Sequence, residues 1–161
     1  MSDIVFETVK LFRGRVEIRL PEGFVDMPDY LAKRKYPSKY RPPVILMSKD
    51  TLVNYGFQLT EAPLDGKQLR DAIEGFLYQS RRIMPAAHFG EIQYTDRVDG
   101  QVAYFSYEVP AADTDIFQIT YITDIEGKLL HGMFNCLSQE RENWEETALS
   151  SIRSVKEVNK A

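Results

Sequence analysis

Residues 89 to 136 form four strand-length runs separated by short turn signals, and this pattern constrains the fold more than any other feature. The runs are rich in aromatic and β-branched residues and cover 89–98, 101–109, 116–123 and 128–136. Asp99-Gly100 is typical of a two-residue hairpin turn, and residues 124–127 form a second turn signal that ends in glycine. Because short turns join strands in antiparallel order, the sequence predicts a meander of four antiparallel strands.

Further strands are predicted before this region. Val16, Ile18 and Leu20 alternate with charged residues, which is typical of a half-buried strand, and residues 9–12 are placed to pair with it across Arg13-Gly14. Residues 44–47 and 53–59 form another predicted pair, joined by a turn at residues 48–50. The sequence therefore predicts strands on both sides of residues 60–88.

Two long helices and one short helix are predicted around these strands. The apolar residues of 67–84 recur with helical spacing, and Asp65 is the candidate N-cap. A last helix carries Trp144, Ala148, Ile152 and Val155 as one stripe, with Ser138 as its candidate N-cap. The short helix is predicted for 28–35. Two striped helices need a sheet face to pack on, so the prediction is an α+β domain over residues 1–161, an antiparallel sheet packed by two main helices, with a frayed tail from about residue 157.

Charge and cysteine content narrow the possible functions. The net charge of −4 disfavours a nucleic-acid partner, because such proteins usually present a basic field. Cys136 is the only cysteine, which fits a reducing compartment, and the start of the chain lacks the features of a secretory signal. No run approaches the ~20 apolar residues of a membrane span. We expect a cytoplasmic protein that does not insert into membranes.

Several sequence features together resemble the PsbP-like family. The segment from Val16 to Phe24 is similar to that family's opening strand, which ends in a Leu-Pro-x-Gly-aromatic turn. The Asp99-Gly100 hairpin after the long helix and the closing strand followed by a helix with Trp144 are similar as well. The family includes the photosystem protein PsbP, a Ran-binding nuclear import factor and bacterial chaperones of type VI secretion effectors. The resemblance implies an α/β/α sandwich and a role in binding or scaffolding, with no shared catalytic residues.

The segment of residues 30–43, called here the basic tyrosine segment, is the main candidate site. It holds five cations and three tyrosines in an otherwise acidic chain, and its three prolines between residues 36 and 43 exclude regular structure there. Tyrosine faces beside cations are suited to an acidic peptide, although the tyrosines could instead pack flat against the domain. The candidate partner-binding residues are Tyr30, Lys35, Tyr36, Lys39, Tyr40, Arg41 and, on a later strand, His131.

No other grouping of residues indicates catalysis or a cofactor. His88 and His131 lie in different elements without metal-ligand spacing, and Cys136 is in phase with apolar residues of its strand. Glycine-rich nucleotide motifs and hydrolase motifs are missing from the sequence. We therefore expect no cofactor and no metal, although a general base at His131 stays open.

Three functional hypotheses follow from these observations. The first is a small cytosolic, non-catalytic binding module that acts as an adaptor or secretion-effector chaperone for a protein client. The second is a small-molecule-binding or hydrolytic enzyme with a pocket between sheet and helix, in which His131 would take part. The third is a homodimeric structural protein that pairs through an edge strand.

Overall fold

The computed structural model describes residues 4–110 and 114–158, and its regular elements follow the predicted order of strands, helix, strands and helix. The helices are α1 (Asp29–Lys35), α2 (Leu69–Ile83) and α3 (Arg141–Arg153), with one 3-10 turn (Ser138–Glu140) before α3. The strands are β1 (Phe6–Leu11), β2 (Val16–Pro21), β3 (Val25–Asp26), β4 (Val44–Met47), β5 (Asn54–Pro63), β6 (His88–Phe89), β7 (Gln93–Arg97), β8 (Gly100–Val109), β9 (Ile116–Ile125), β10 (Lys128–Leu137) and β11 (Lys156–Glu157).

The strands form two antiparallel sheets. The main sheet has the order β3-β4-β5-β10-β9-β8-β6, and β7 also pairs with β8. The smaller sheet has the order β1-β2-β11. The predicted meander is confirmed in β8, β9 and β10, but its first run is divided into β6 and β7. The break follows Phe89, where Gly90 donates its N–H to the carbonyl of Ser106 and the chain leaves β8 briefly.

The side chains of the main sheet alternate between two covered faces. One face packs against α3 and the smaller sheet, with a core of Tyr55, Phe57, Tyr121 and Phe134 among others. The other face packs against α2, where Ile73 meets the cluster that the strands provide. The α+β class with an antiparallel sheet between helices is therefore confirmed, and the period-two alternation explains why both faces are apolar.

The two hairpin turns of the meander differ from each other. Glu126 and Gly127 both have positive φ, as a type I′ turn requires. At the other hairpin the turn residues are Val98 and Asp99, one position earlier than the sequence suggested, because Gly100 pairs with Arg97 in the ladder. A Cβ on Gly100 would lie 2.8 Å from Nη2 of Arg97, so the guanidinium occupies the space beside this glycine.

Arg97 holds the two hairpin turns together. Its side chain is only 2% exposed. It donates to Oγ1 of Thr123 at 2.9 Å, to the carbonyl of Asp124 at 2.6 Å, and to the carboxylate of Asp99. A buried cation requires such partners, and here Asp99 comes from one hairpin turn while Thr123 and Asp124 lie just before the other.

The structure differs from the sequence predictions at the N-termini of α2 and α3 and at the C-terminal tail. Asp65 is not the N-cap of α2: its Oδ1 accepts from the N–H groups of Lys67 and Gln68 in a turn that precedes the helix, and α2 begins at Leu69 after Gln68. Ser138 does not cap α3: its buried hydroxyl has no partner among the described residues, and the 3-10 turn comes first. The chain does not fray at residue 157, because Glu157 pairs with Val16 in the smaller sheet. Residues 159–161 of the predicted tail lie outside the described part.

Candidate functional site

The basic tyrosine segment begins on α1 and continues into an irregular loop, as its prolines predict. Helix α1 has only seven residues, and Lys33, Arg34 and Lys35 lie in its last turn. Cations at this end of a helix interact favourably with the partial negative charge of the free carbonyl groups. Three of the five cations therefore also stabilise the helix that presents them.

The loop after α1 is ordered by its own hydrogen bonds and by contact with the main sheet. The hydroxyl of Ser38 accepts from the N–H of Tyr40 at 3.1 Å, and the carbonyl of Ser38 accepts from Nη1 of Arg41 at 3.0 Å. Pro42 packs so closely over β5 that a Cβ on Gly56 would lie 3.0 Å from its Cγ. Gly56 therefore allows this close approach of the loop to the sheet.

Tyr36 anchors the segment on the main sheet. Its hydroxyl accepts a hydrogen bond of 2.7 Å from Nδ2 of Asn135 on β10, and Oδ1 of Asn135 accepts one of 3.0 Å from Nδ2 of Asn54. The ring is half-buried beside Met27, Ala32 and Ile45, and this burial raises the pKa of the phenol. Tyr36 thus joins α1, the loop and the centre of the sheet.

Removal of the Tyr36 hydroxyl tests this anchor. We expect Tyr36→Phe to lower the free energy of unfolding by about 1 kcal/mol, because the buried Asn135 amide loses its short hydrogen bond. The matched change Tyr40→Phe should alter stability by less than about 0.5 kcal/mol, since Tyr40 is exposed. Urea unfolding of both variants measures the difference, and equal effects would show that Tyr36 does not anchor the loop.

The other two tyrosines of the segment face solvent. Tyr30 is 73% exposed and Tyr40 is 79% exposed. Nζ of Lys39 lies 5.1 Å from the centre of the Tyr40 ring, an arrangement that favours a cation over an aromatic face. Two accessible phenol rings and an adjacent ammonium group can therefore meet a partner without rearrangement of the core.

The cations of the segment lack acidic partners. Across residues 4–110 and 114–158, no carboxylate lies within 4 Å of Lys33, Arg34, Lys35, Lys39 or Arg41 in a salt bridge. Lys35 instead donates to the carbonyl of Thr51, and burial lowers its pKa while the charge of Asp50 opposes that shift. The segment therefore keeps a concentrated positive charge on an acidic protein.

A cavity of about 290 Å³ lies beside the loop, and the sequence alone did not indicate it. Its apolar surface is provided by Met27, Ala32, Ile45 and the two prolines, while Asp29, Lys39 and Arg41 contribute charge. Ile45 comes from β4 and Ala32 from α1, so the cavity exists only once helix, loop and strand have packed.

His131 lies apart from the basic tyrosine segment. It is on β10 four residues before Asn135, about 14 Å along the strand. Its ring packs against Phe76 of α2, with 4.9 Å between ring centres. Burial lowers its pKa to about 4, so the imidazole is neutral at neutral pH. The structure thus places His131 apart from the other six predicted residues, which lie along α1 and the loop that follows it.

The lowered pKa of His131 predicts a pH dependence of stability. An unfolded chain takes up a proton at this histidine near pH 6.5, whereas the folded chain takes it up only near pH 4. We therefore expect a stability loss that is absent above pH 7 and grows to about 3 kcal/mol as the pH falls to 4. His131→Gln should remove this component in urea unfolding at several pH values. A constant difference between variant and wild type from pH 7 to 4 would contradict the assignment.

The other side chains that could act as nucleophiles or metal ligands are buried or lie far apart. Cys136 is buried, and this burial raises the pKa of its thiol to about 12. Within the described ranges, no three His, Cys, Asp or Glu side chains are grouped so that they could hold a metal ion. No helix in those ranges is both long and apolar enough to cross a membrane.

Comparison with solved structures identifies the fold. The chain superposes on cyanobacterial PsbP (CyanoP) from Synechocystis sp. PCC 6803 with a TM-score of 0.69 and 12% identity, covering 98% of this chain and 95% of the other. The Ran-binding protein Mog1p from Saccharomyces cerevisiae gives a TM-score of 0.64 at 11% identity, with coverage of 98% and 97%. LpqN from Mycobacterium tuberculosis, which is involved in cell envelope biogenesis, gives 0.58 at 10% identity, with coverage of 98% and 93%.

These similarities confirm the PsbP-like fold that the sequence features implied. No protein-family model matches the chain, and the search of curated proteins gives no match. At identities of 10–12% the shared property is the fold, and function has to be argued from the site.

Proposed function

We propose that this chain is a non-catalytic binding module that holds an acidic segment of a partner protein on the basic tyrosine segment. The observation that carries the proposal is the group of five cations without salt-bridge partners in the described residues, together with two exposed tyrosines, Tyr30 on α1 and Tyr40 on the loop that follows it. Tyrosine and arginine are, with tryptophan, enriched among the interface residues that contribute most binding energy.

The rigidity of the segment supports this role. Tyr36 and Pro42 hold the loop on the main sheet, so little backbone conformational entropy is lost when Tyr40 and Lys39 contact a partner. The field of the cations also steers an acidic partner towards the segment and raises the association rate. A mobile loop with the same residues would lose more conformational entropy on binding, so its affinity for the partner would be lower.

We place the module in the cytosol, where it would serve as an adaptor or as a chaperone of a secretion effector. Mog1p is a Ran-binding protein, so a protein of this fold can bind a protein partner, and this supports the proposal for the present chain. A single-stranded nucleic acid is the competing ligand for basic and aromatic side chains, but the net charge of −4 opposes it.

Affinity purification from the native cell tests the proposal. We expect one protein to be recovered in near-equal amount with the tagged chain, before and after nuclease treatment. Native mass spectrometry of the same preparation would reveal a bound metabolite. Recovery of a metabolite or of nucleic acid without a protein partner would contradict the proposal.

A further inference from the structure

We propose that the free edge of β1 binds one extended segment of a partner protein, which adds a fourth strand to the smaller sheet. The segment would run antiparallel to β1, with aliphatic side chains towards the main sheet and polar side chains towards solvent. This inference goes beyond the proposed function, because no residue of the basic tyrosine segment takes part in it.

Strand β1 has one paired edge and one free edge. It pairs with β2 on one side, and within the described ranges no strand pairs with its other side. The N–H of Glu22 donates to the carbonyl of Val5 at 2.9 Å, and hydrogen-bonded pairs alternate along an antiparallel ladder. The odd-numbered residues of β1 therefore bond to β2. The N–H and carbonyl groups of Phe6, Thr8 and Lys10 consequently point out from the free edge.

A groove of about 570 Å³ follows this free edge. Every residue from Glu7 to Phe12 lines it, and residues 24–26 with two residues of β4 line its other side. Because consecutive residues of a strand point to opposite faces, a groove that contacts all of them lies beside the main chain. An extended segment in the groove would therefore meet the outward-pointing main-chain groups along β1.

Apolar side chains in the groove are incompletely covered. Val9, Phe12, Phe24 and Val44 pack against the core between the main sheet, α3 and the smaller sheet, but each is only partly buried. They are four of the six partly buried apolar residues that pack against this core. Side chains on one face of an added strand would cover them, which stabilises the complex in proportion to the apolar area buried.

The burial of β1 determines which residues of the added strand are polar. Leu11 is buried, whereas Thr8 and Lys10 are exposed on the opposite face of β1. Residues that exchange hydrogen bonds across an antiparallel pair have their side chains on the same face. The partner residues that bond to Thr8 and Lys10 are therefore polar, and the residues between them are aliphatic. A carboxylate opposite Lys10 adds a favourable cross-strand pair.

A second copy of this chain fits the free edge less well than a different protein. Two copies of β1 can pair only with their outward-pointing, even-numbered residues facing each other. In every such register Glu7 faces an odd-numbered residue, so it never lies opposite Lys10. Both charges would remain without a cross-strand partner, whereas another protein can supply the complementary charge.

Three peptides of zero net charge test the added strand on the wild-type protein. The first is acetylated and amidated Glu-Val-Thr-Val-Thr-Val-Lys. The second carries N-methyl groups on both threonines, and the third carries them on the first two valines. Since the polar residues direct their N–H groups towards β1, we expect the second peptide to bind more than tenfold more weakly than the first. The third should bind within about threefold of the first, as measured by amide chemical shifts of ¹⁵N-labelled protein.

Hydrogen exchange distinguishes the two edges of β1. With the first peptide at about ten times its Kd, we expect the amides of Thr8 and Lys10 to exchange about tenfold more slowly, measured relative to the amide of Val9. Val9 is the internal reference because its N–H already bonds to β2. Equal slowing of all three amides would contradict the added strand.

A proline variant adds an independent test. Thr8→Pro removes one outward-pointing N–H and leaves the bonds to β2 intact, and proline is accepted on edge strands. We expect its affinity for the first peptide to fall more than tenfold, whereas Thr8→Val, which keeps the N–H, should stay within about twofold of wild type. The amide spectrum reports whether each variant is folded, and unchanged affinity in folded Thr8→Pro would contradict the proposal.

The remaining outcomes separate this surface from the basic tyrosine segment. Equal binding of the first and second peptides, or no binding of the first at millimolar concentration, would overturn the added strand. Shifts confined to residues 30–43 would overturn it as well. Self-association of the chain alone, with Thr8 and Lys10 amides protected, would show that a second copy occupies the edge and would also overturn it. None of these results affects the recognition of an acidic partner by the basic tyrosine segment.

Discussion

Gly132→Ala is expected to lower the free energy of unfolding by about 3 kcal/mol, at the upper end of the effects of overpacking. Gly132 lies on β10 directly opposite Tyr121 of β9. A Cβ at this position would overlap the Tyr121 ring, which is fully buried. The variant must therefore separate the two central strands or displace the ring from its rotamer.

Urea unfolding of Gly132→Ala measures this effect, and Gly75→Ala is the matched control. Gly75 is in the exposed middle of α2, and an added Cβ there meets no atom within 4 Å. Alanine at this position should stabilise the protein by about 0.5–1 kcal/mol, because glycine weakens a helix interior. A change of less than about 1 kcal/mol in Gly132→Ala would show that the Tyr121 ring does not cover the glycine.

The combined change Lys39→Glu with Arg41→Glu is expected to lower the affinity for the protein partner about 100-fold. Both side chains belong to the basic tyrosine segment, and neither forms a salt bridge within the described residues. The change therefore replaces attraction to an acidic partner by repulsion. Folding should be little affected, with less than about 1 kcal/mol of stability lost.

Isothermal titration calorimetry with the purified partner measures this loss. The control variant Lys67→Glu with Arg81→Glu has the same change in net charge at two exposed positions near the ends of α2. We expect it to bind within about threefold of wild type. The wild-type affinity should also fall with added salt more steeply than that of the Lys39 and Arg41 variant. Equal losses of affinity in both variants would mean that the net charge of the protein, and not the position of Lys39 and Arg41, determines the affinity for the partner.

The sequence predicted the sheet well because the relevant signals are local. The alternation around Val16 and the turn at Gly127 depend only on neighbouring residues, and both are confirmed. The errors concern contacts between distant parts of the chain. The division of the first meander strand depends on how Gly90 meets Ser106, and the pairing of Glu157 with Val16 joins the two ends of the chain.

The candidate site was only partly predictable for the same reason. Residues 30–41 are close in sequence, so their charge and tyrosines were visible without a structure. The hydrogen bonds that join Tyr36, Asn135 and Asn54 depend on the register of β5 against β10, which composition does not indicate. The apolar lining of the cavity by Met27, Ala32 and Ile45 likewise depends on the packing of α1 against β4.

Photo-cross-linking from the exposed tyrosines tests most directly whether the basic tyrosine segment contacts a partner protein. Replacement of Tyr40 by p-benzoylphenylalanine puts a photoreactive group on the segment, and the same replacement at Tyr78, which is 60% exposed on α2, is the control. On irradiation of the native cell, we predict a cross-link to the co-purifying protein from position 40 and none from position 78. A cross-link from position 78 alone would contradict the account, and so would a partner that co-purifies but cross-links from neither position.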